Sequence, residues 1–217
     1  MRVEETKVFK FEELSEEAKE VAREWYKSCM DNDFYYESEQ IKEDFKYELE
    51  KLGYPTNEIE FSLNHSQGDG VAFYGHIDDD DMEAIVKRSN IDKKLFDKIK
   101  DEGFTIFGDI ERNQFGWHYS HWNTMKVEIE SDDIDLMVED IFELDREDDE
   151  KEYYNKVDEI EDMLNELETF VSDEIKEASK NLESLGYKMI EDFYSNERID
   201  EIIIINEYEF TEDGSRW

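Results

Sequence analysis

The sequence predicts an α+β fold: an antiparallel sheet of about four or five strands, helices packed against it, and one long C-terminal helical region. Three observations predict it. The apolar period changes from three or four residues to two and back again along the chain. Two pairs of alternating segments are each joined by a short polar turn. From residue 157 to residue 185 the three/four spacing is nearly unbroken. One proline and nine glycines leave no linker, so residues 1–217 read as a single compact domain. It carries a helical insertion at about 78–103 and an acidic helical segment at about 131–190.

The elements follow in order. Residues 7–11 form a short extended start. Ser15 then caps a helix whose first turn holds Glu16 and Glu17, favourable at the positive end of its dipole. Its apolar stripe is Ala18, Val21, Ala22, Trp25 and Cys29. A second helix over about 37–52 presents Ile41, Phe45, Leu49 and Leu52, and Gly53 with Pro55 stops it. The period then becomes two at Ile59, Phe61 and Leu63. Residues 64–70 form a turn, and 71–77 return as the second strand of a hairpin.

Two short helices are expected over 78–103, with Met82, Ile85 and Val86 on one and Leu95, Phe96 and Ile99 on the other; Gly103 ends them. Residues 104–111 and 117–130 read as a second hairpin around a turn at 113–116. Ser131 is the expected cap of the next helix, where Ile134, Met137, Val138, Ile141 and Phe142 share a face. The long stripe runs Val157, Ile160, Leu164, Leu167, Val171, Ile175, Ala178, Leu182 and Leu185. A helix of that span is about 45 Å long. It packs along the domain or, alternatively, forms a coiled-coil seam, and Ser172 with Asp173 and Glu174 offers a place for a break and restart. Ser195 caps a last helix on which Ile199, Ile202 and Ile203 share a face. Residues 207–211 make a short final strand before an Asp213-Gly214 turn.

Composition bounds the function. Sixty-three Asp and Glu against 25 Lys and Arg give a formal net charge of −38, yet 38% of residues are hydrophobic and 14% aromatic. A disordered acidic tail lacks such groups, so the charge belongs to a folded surface. That surface repels nucleic acids and anionic membranes and attracts basic proteins. No direct nucleic-acid binding is expected. The start of the chain lacks an apolar signal-like core and no segment approaches the ~18 apolar residues of a membrane span, so a soluble protein of the host cytoplasm is expected. The lone cysteine, Cys29, reads as a buried thiol.

Three stretches occur together in order: FEELSEEAKE from Phe11, continuing to Trp25 and Tyr26; SQGDG from Ser66, with Phe73 and Gly75; and NEYEFTEDG from Asn206. The set resembles a family of small uncharacterised bacteriophage and prophage proteins, and the stretch 119–130 with His121 and Met125 is similar too. The resemblance implies a phage setting and no particular activity. It supports a helix over 199–205, and it is weak over 78–103 and in the acidic segment after Ser131.

Chemical motifs are sparse. The chain has no HExxH, CxxC or GxSxG, and its Gly-Asp-Gly turn lacks the spacing of a Walker loop or dinucleotide fingerprint. His65, Asp69 and His121 are the single candidate acid/base group, whereas His118 and His121, three apart on a predicted strand, point to opposite faces. The acid runs 78–81 and 145–152 do not fit an EF-hand, which needs alternating oxygen ligands around a central glycine. No catalytic residue, metal or cofactor is expected.

The acidic segment carries the largest excess. Between Glu128 and Glu168 there are 20 acids and 3 bases, a net of −17 over 41 residues. Helical acids three or four residues apart stand about 5–6 Å from one another, a scale similar to that of phosphates on a DNA strand. Solubility requires far less charge. Halophilic adaptation is a rival source, weakened by the many lysines and isoleucines. The expected function is therefore an acidic phage accessory protein that inhibits a basic, nucleic-acid-binding host defence component by nucleic-acid mimicry, as anti-CRISPR or anti-restriction proteins do. The expected contact residues are Asp132, Asp133, Asp135, Glu139, Asp140, Glu143, Asp148, Asp149, Asp158, Glu159, Glu161 and Asp162, with Tyr153 and Tyr154 as aromatic anchors. Two alternatives stay open: a small enzyme using His65, Asp69 and His121, and a scaffold that dimerises or assembles through the 157–185 stripe.

Overall fold

Changes of apolar period in the sequence become changes of element in the structure, a computed structural model that describes residues 2, 5–113 and 120–217. In chain order the elements are β1 (Phe9–Lys10), α1 (Glu16–Asn32), α2 (Tyr35–Glu50), β2 (Glu58–Ser62), β3 (Gly70–Ile77), α3 (Asp79–Arg88), α4 (Lys93–Asp101), β4 (Ile106–Arg112), β5 (Met125–Ser131), α5 (Ile134–Phe142), α6 (Glu150–Phe193), α7 (Asn196–Ile205) and β6 (Glu209–Phe210). The fold class is α+β, as expected. The chain divides into two compact units, Met1–Glu43 with Leu185–Trp217, and Asp44–Ser184.

In the first unit, β1 pairs antiparallel with β6, Phe9 opposite Phe210 and Lys10 opposite Glu209. The final strand, expected over 207–211, closes this separate two-stranded sheet and is not part of the four-stranded one. Ser15 and Ser195 cap α1 and α7 as expected, their side chains accepting from the backbone of Ala18 and Arg198 at 3.2 Å. These helices enclose Phe11, Ala18, Ala22, Met30, Ile199, Ile203 and Phe210, with Trp25 and Tyr208 packed edge to face at 5.2 Å. Arg23, buried in α1, holds Asp200 of α7 through both carboxylate oxygens at 2.7 and 2.6 Å. Gly214 lies at φ +86°, and a Cβ there would collide with the Ala18 carbonyl. Cys29 is exposed rather than buried, and Val21 is exposed too. The covered face of α1 turns toward Met30 at its C-terminal end, leaving the thiol beside it uncovered.

In the second unit the sheet order is β2-β3-β4-β5, every pair antiparallel. Helix α2 ends in a tight cap at Gly53 (φ +68°), where the Gly53 and Tyr54 N–H groups donate to the Glu50 and Leu49 carbonyls. This satisfies carbonyls that the helix end would otherwise leave unpaired. The expected insertion is present as α3 and α4, whose buried residues are the six predicted. Strand β5 is shorter than expected: Trp122–Thr124 forms a 3-10 turn capped by His121, so His121 is not a strand residue. The expected 113–116 turn falls largely on residues 114–119, which also include His118; those lie outside the described residues.

Ser131 does not cap α5. Asp133 does, its carboxylate accepting from Asp135 N at 2.9 Å, while the Ser131 hydroxyl donates to the Asp132 carbonyl. Helix α6 runs 44 residues without a break at Ser172, about 66 Å at 1.5 Å per residue. Within the second unit Ile160, Met163, Leu167, Val171, Ile175, Ala178 and Leu182 are buried in the chain's own core. The stripe is thus used for packing along the protein rather than left as an open coiled-coil seam.

A polar knot fastens α6 to its surroundings. Glu174 accepts from Arg88 Nε and Nη2 at 2.8 and 2.9 Å and from the Tyr54 hydroxyl at 2.5 Å, while Arg88 Nη2 also donates to the Leu52 carbonyl. One carboxylate therefore joins α3, α6 and the segment after α2. Burial, then the bond to Glu174, pushes the Tyr54 phenol well above its usual range. Glu174→Gln places an amide donor against the guanidinium and removes the charge-assisted bond, so it should cost about 1.5–3 kcal/mol. Urea unfolding measures it, and an unchanged midpoint would remove the knot from any structural role.

Candidate functional site

The acidic segment starts at the end of β5. Asp132 accepts from the Thr105 backbone at 2.7 Å and hydroxyl at 2.8 Å, tying that end to the approach to β4. Asp133 then caps α5, and Met137, Val138 and Ile141 anchor the helix by their burial. This leaves Asp135, Glu139 and Asp140 exposed. Glu143, at φ +56°, ends α5 in a left-handed turn. Asp145 organises the next start, its side chain accepting from Glu147 N at 2.7 Å and Asp148 N at 3.2 Å. Asp148 and Asp149 are exposed there.

Helix α6 opens with its two tyrosines in different roles. Tyr153, expected as an interface anchor, is fully buried. Its hydroxyl donates to Asp135 Oδ1 at 2.8 Å, which locks the first turns of α6 to α5. Burial first, and then the bond to the Asp135 carboxylate, push its phenol up to about 12. Tyr154 is 43% exposed and meets Tyr153 edge to face at 5.7 Å. Its oxygen accepts from Arg146 Nη2 at 2.9 Å and Nε at 3.2 Å. Arg146 also lies 3.8 Å from Asp135. The sequence reading missed this clasp, although Arg146 is the sole cation between Lys126 and Lys151.

Further along α6, Asp158, Glu159, Glu161 and Asp162 are all exposed, on turns whose inner positions Ile160 and Met163 are buried. At 100° per residue these four, with Glu166, fall on the arc away from the apolar stripe. Glu159 pairs with Lys156, whose ammonium also sits 4.7 Å from the Phe142 ring, with Lys98 at 4.2 Å from the same ring. The twelve proposed acids are thus all at the surface. Asp132, Asp133, Asp135 and Glu159 have partners within the fold; Glu139, Asp140, Asp158, Glu161 and Asp162 form no ion pair among the described residues. The arrangement is a set of exposed carboxylates carried on α5, on the first turns of α6 and on the segments that flank α5.

The chain matches, over residues 35–200, the family model described as Domain of unknown function (DUF8835). The chain belongs to that family. The DUF8835 match begins at α2 and ends in α7, so it takes in the whole four-stranded sheet and all of the acidic segment. No curated protein and no solved structure matches the chain.

The other candidate residues have structural work. The Asp69 carboxylate gathers its own turn, accepting from Asn64 N at 2.6 Å, Ser66 N at 2.9 Å, and the hydroxyls of Ser66 and Ser62 at 2.8 and 3.0 Å. His121 Nδ1 accepts from Asn123 N, and a Cβ on Gly70 would strike the His121 Cβ, so the turn and His121 do approach one another. His65 is exposed at φ +55°. In the 78–81 run, Asp78 caps α3 and Asp79 pairs with Lys100. Burial, then Asp78 and Asp80, hold the Asp81 carboxyl above its usual range. No cluster of three or more metal-binding side chains occurs among the described residues, and none of their helices is long and apolar enough to cross a membrane.

Tyr153 gives this site a pH signature. Its folded pKa lies above the unfolded value near 10, so its contribution is fully present below pH 10 and is lost as pH rises toward 12. Tyr153→Phe should flatten the fall in unfolding free energy across that window, measured by urea titrations at successive pH values. An identical slope in the variant would mean that the phenol does not titrate with folding.

Proposed function

We propose that this chain is a non-enzymatic, phage-encoded accessory protein that occupies the positive groove of a nucleic-acid-binding host defence component, as an electrostatic imitation of nucleic acid. The observation that carries the reading is the exposure of the carboxylates of α5 and α6, held on helices whose other faces are buried. Carboxylates on turns three and four residues apart repeat at about 5–6 Å. A groove built for phosphates, with one charge per roughly 1.7 Å of duplex axis, meets a comparable density of negative charge. The segment's net of −17 exceeds what solubility asks, and its density supports a partner rather than a solvated helix. The phage resemblance of the FEELSEEAKE, SQGDG and NEYEFTEDG stretches supports the setting.

Tyr154 supplies the aromatic contact in this reading. It is half-exposed beside the carboxylates and oriented by Arg146, whereas Tyr153 acts beneath the surface as a fastener.

The test replaces four carboxylates together as Asp158→Asn, Glu159→Gln, Glu161→Gln and Asp162→Asn. Proteins held from host lysate by the immobilised chain at about 50 mM salt should be released by about 200 mM salt and by added duplex DNA. The quadruple variant should hold at least about tenfold less of them, with a shallower salt dependence. Retention that resists DNA and is unaltered in the variant would sink the mimicry.

A further inference from the structure

We propose that the outer face of α7, together with the start of α2, is a docking surface for a cationic amphipathic helix of a partner protein. Four consecutive isoleucines, Ile202–Ile205, end α7. Successive helical residues turn by 100°, so one buried face cannot take all four. Ile203 is fully buried in the core of the first unit and Ile202 is half-buried, whereas Ile204 is exposed and Ile205 is 77% exposed. The chain is 41% charged, yet it places isoleucine at these outward positions. The exposed apolar groups on one side are contiguous. Ile202 and Ile205 lie three residues apart and so share a side of α7. Ile202 also shares with Tyr36, Met30 and Phe193 the wall of a cleft of about 120 Å³. Tyr36 is 78% exposed and meets Tyr35, 62% exposed, edge to face at 5.7 Å.

Single exposed apolar side chains are ordinary on a protein surface, but a contiguous apolar patch rimmed by polar groups marks an interaction site. The cleft is smaller than the ~300–1,000 Å³ of sites for drug-sized ligands. It suits one inserted side chain, as when a helix lays its apolar face into a groove. Charge selects the occupant. Glu37 stands in the cleft wall, Glu201 precedes Ile202 on α7, and Glu43 lies two turns beyond Tyr36 on the same side of α2; the last two are exposed. The first unit as a whole holds 22 acids and 10 bases, a net of −12. A second copy would bring the same acids to the same rim and be repelled, as would an anionic membrane. Lysines and arginines beside an apolar stripe instead meet that rim with opposite charge, while the stripe covers Ile205 and enters the cleft. The inference is independent of the acidic segment on α5 and α6.

Fluorescence anisotropy of two labelled peptides, titrated with the full chain at about 150 mM salt, tests the assignment. One is a leucine-lysine peptide about two heptads long, patterned as an amphipathic helix; the other has the same composition in an order that breaks the apolar stripe. The patterned peptide should bind saturably and at least about tenfold more tightly than the other. Tyr36→Ser and Ile205→Ser together should abolish that preference. They should leave the affinity for the unpatterned peptide and the melting temperature unchanged, since both side chains are exposed. The quadruple α6 variant, Asp158→Asn with Glu159→Gln, Glu161→Gln and Asp162→Asn, should keep the preference. Four results would each overturn the proposal. Equal affinity for the two peptides would reduce the attraction to bulk charge, and a preference unaltered in the Tyr36/Ile205 variant would place it elsewhere. A preference lost in the quadruple variant would move it to α6. A dimer of the unliganded chain in sedimentation, dissociated by the Tyr36/Ile205 substitutions, would give the surface to a second copy.

Discussion

Self-repulsion is the constraint on which this structure depends: 63 carboxylates must be kept apart by a fold that has only 25 cations to place among them. Two uses of the cations recur. Arginines bridge distant parts of the chain, Arg23 to Asp200 and Arg88 to Glu174, and Arg112 reaches Glu58 and Glu60. The planar forks of Arg23 and Arg88 each hold one carboxylate through two bonds in partly buried settings, where such pairs are strongest. Lysines serve nearby glutamates along helices, as Lys19 with Glu16, Lys27 with Glu24, Lys42 with Glu39 and Lys51 with Glu48. Exposed pairs of that kind contribute little to stability, because water and salt screen them. Their main effect is to lower the local charge density.

The acidic segment is where that distribution stops. With three cations for 20 acids between Glu128 and Glu168, α5 and the start of α6 cannot be neutralised locally. They are held instead by apolar burial, by Asp133 and Asp145 at the helix starts, and by the Tyr153 hydroxyl on Asp135. Arg146 and Lys156 each join one of these acids to an aromatic ring, Arg146 lying by Asp135 and Tyr154 and Lys156 by Glu159 and Phe142. The fold therefore keeps an unneutralised surface by fastening it from beneath.

Much of the architecture was legible because it is written in local terms. Ser15, Ser195, Gly53 and Gly103 mark helix ends by their own chemistry, and the alternation of Ile59, Phe61 and Leu63 requires a strand. What was not legible depends on partners distant in sequence. Nothing near Phe210 says that its strand pairs with Phe9 rather than with the main sheet. Cys29 sits on the apolar arc of α1 by angle, yet at that end of the helix it is Met30 that is buried and Cys29 that is exposed. Asp133 outcompetes Ser131 as the cap of α5 because Asp132 is already tied to Thr105, which sets where the chain leaves the sheet. In the candidate site, the helical spacing of α6 puts Asp158, Glu159, Glu161 and Asp162 on the arc opposite its apolar stripe, whereas Asp132, Asp133, Glu143, Asp148 and Asp149 lie outside the helices. Tyr153 was misread because an aromatic beside acids looks like an anchor, and only the tertiary packing shows that it is buried.

Carboxylates about 5–6 Å apart lie within the ~8 Å screening length of physiological salt, so those along α6 repel one another in the free protein. The same repulsion gives the proposed interaction its energetics. A basic groove laid on these carboxylates removes repulsion that the fold otherwise bears, so association and folding stability are linked. Added salt then has opposite effects on the two. It screens the free protein's self-repulsion and stabilises the fold, while it weakens attachment to a cationic partner. An apolar docking surface has no such opposition, since screening leaves burial of apolar area nearly unaltered. The fastening contacts beneath the surface oppose the same repulsion: without Tyr153 on Asp135 and the buried stripe of α6, like charges would push apart the helices that carry them, and the proposed interaction would lose its fixed spacing.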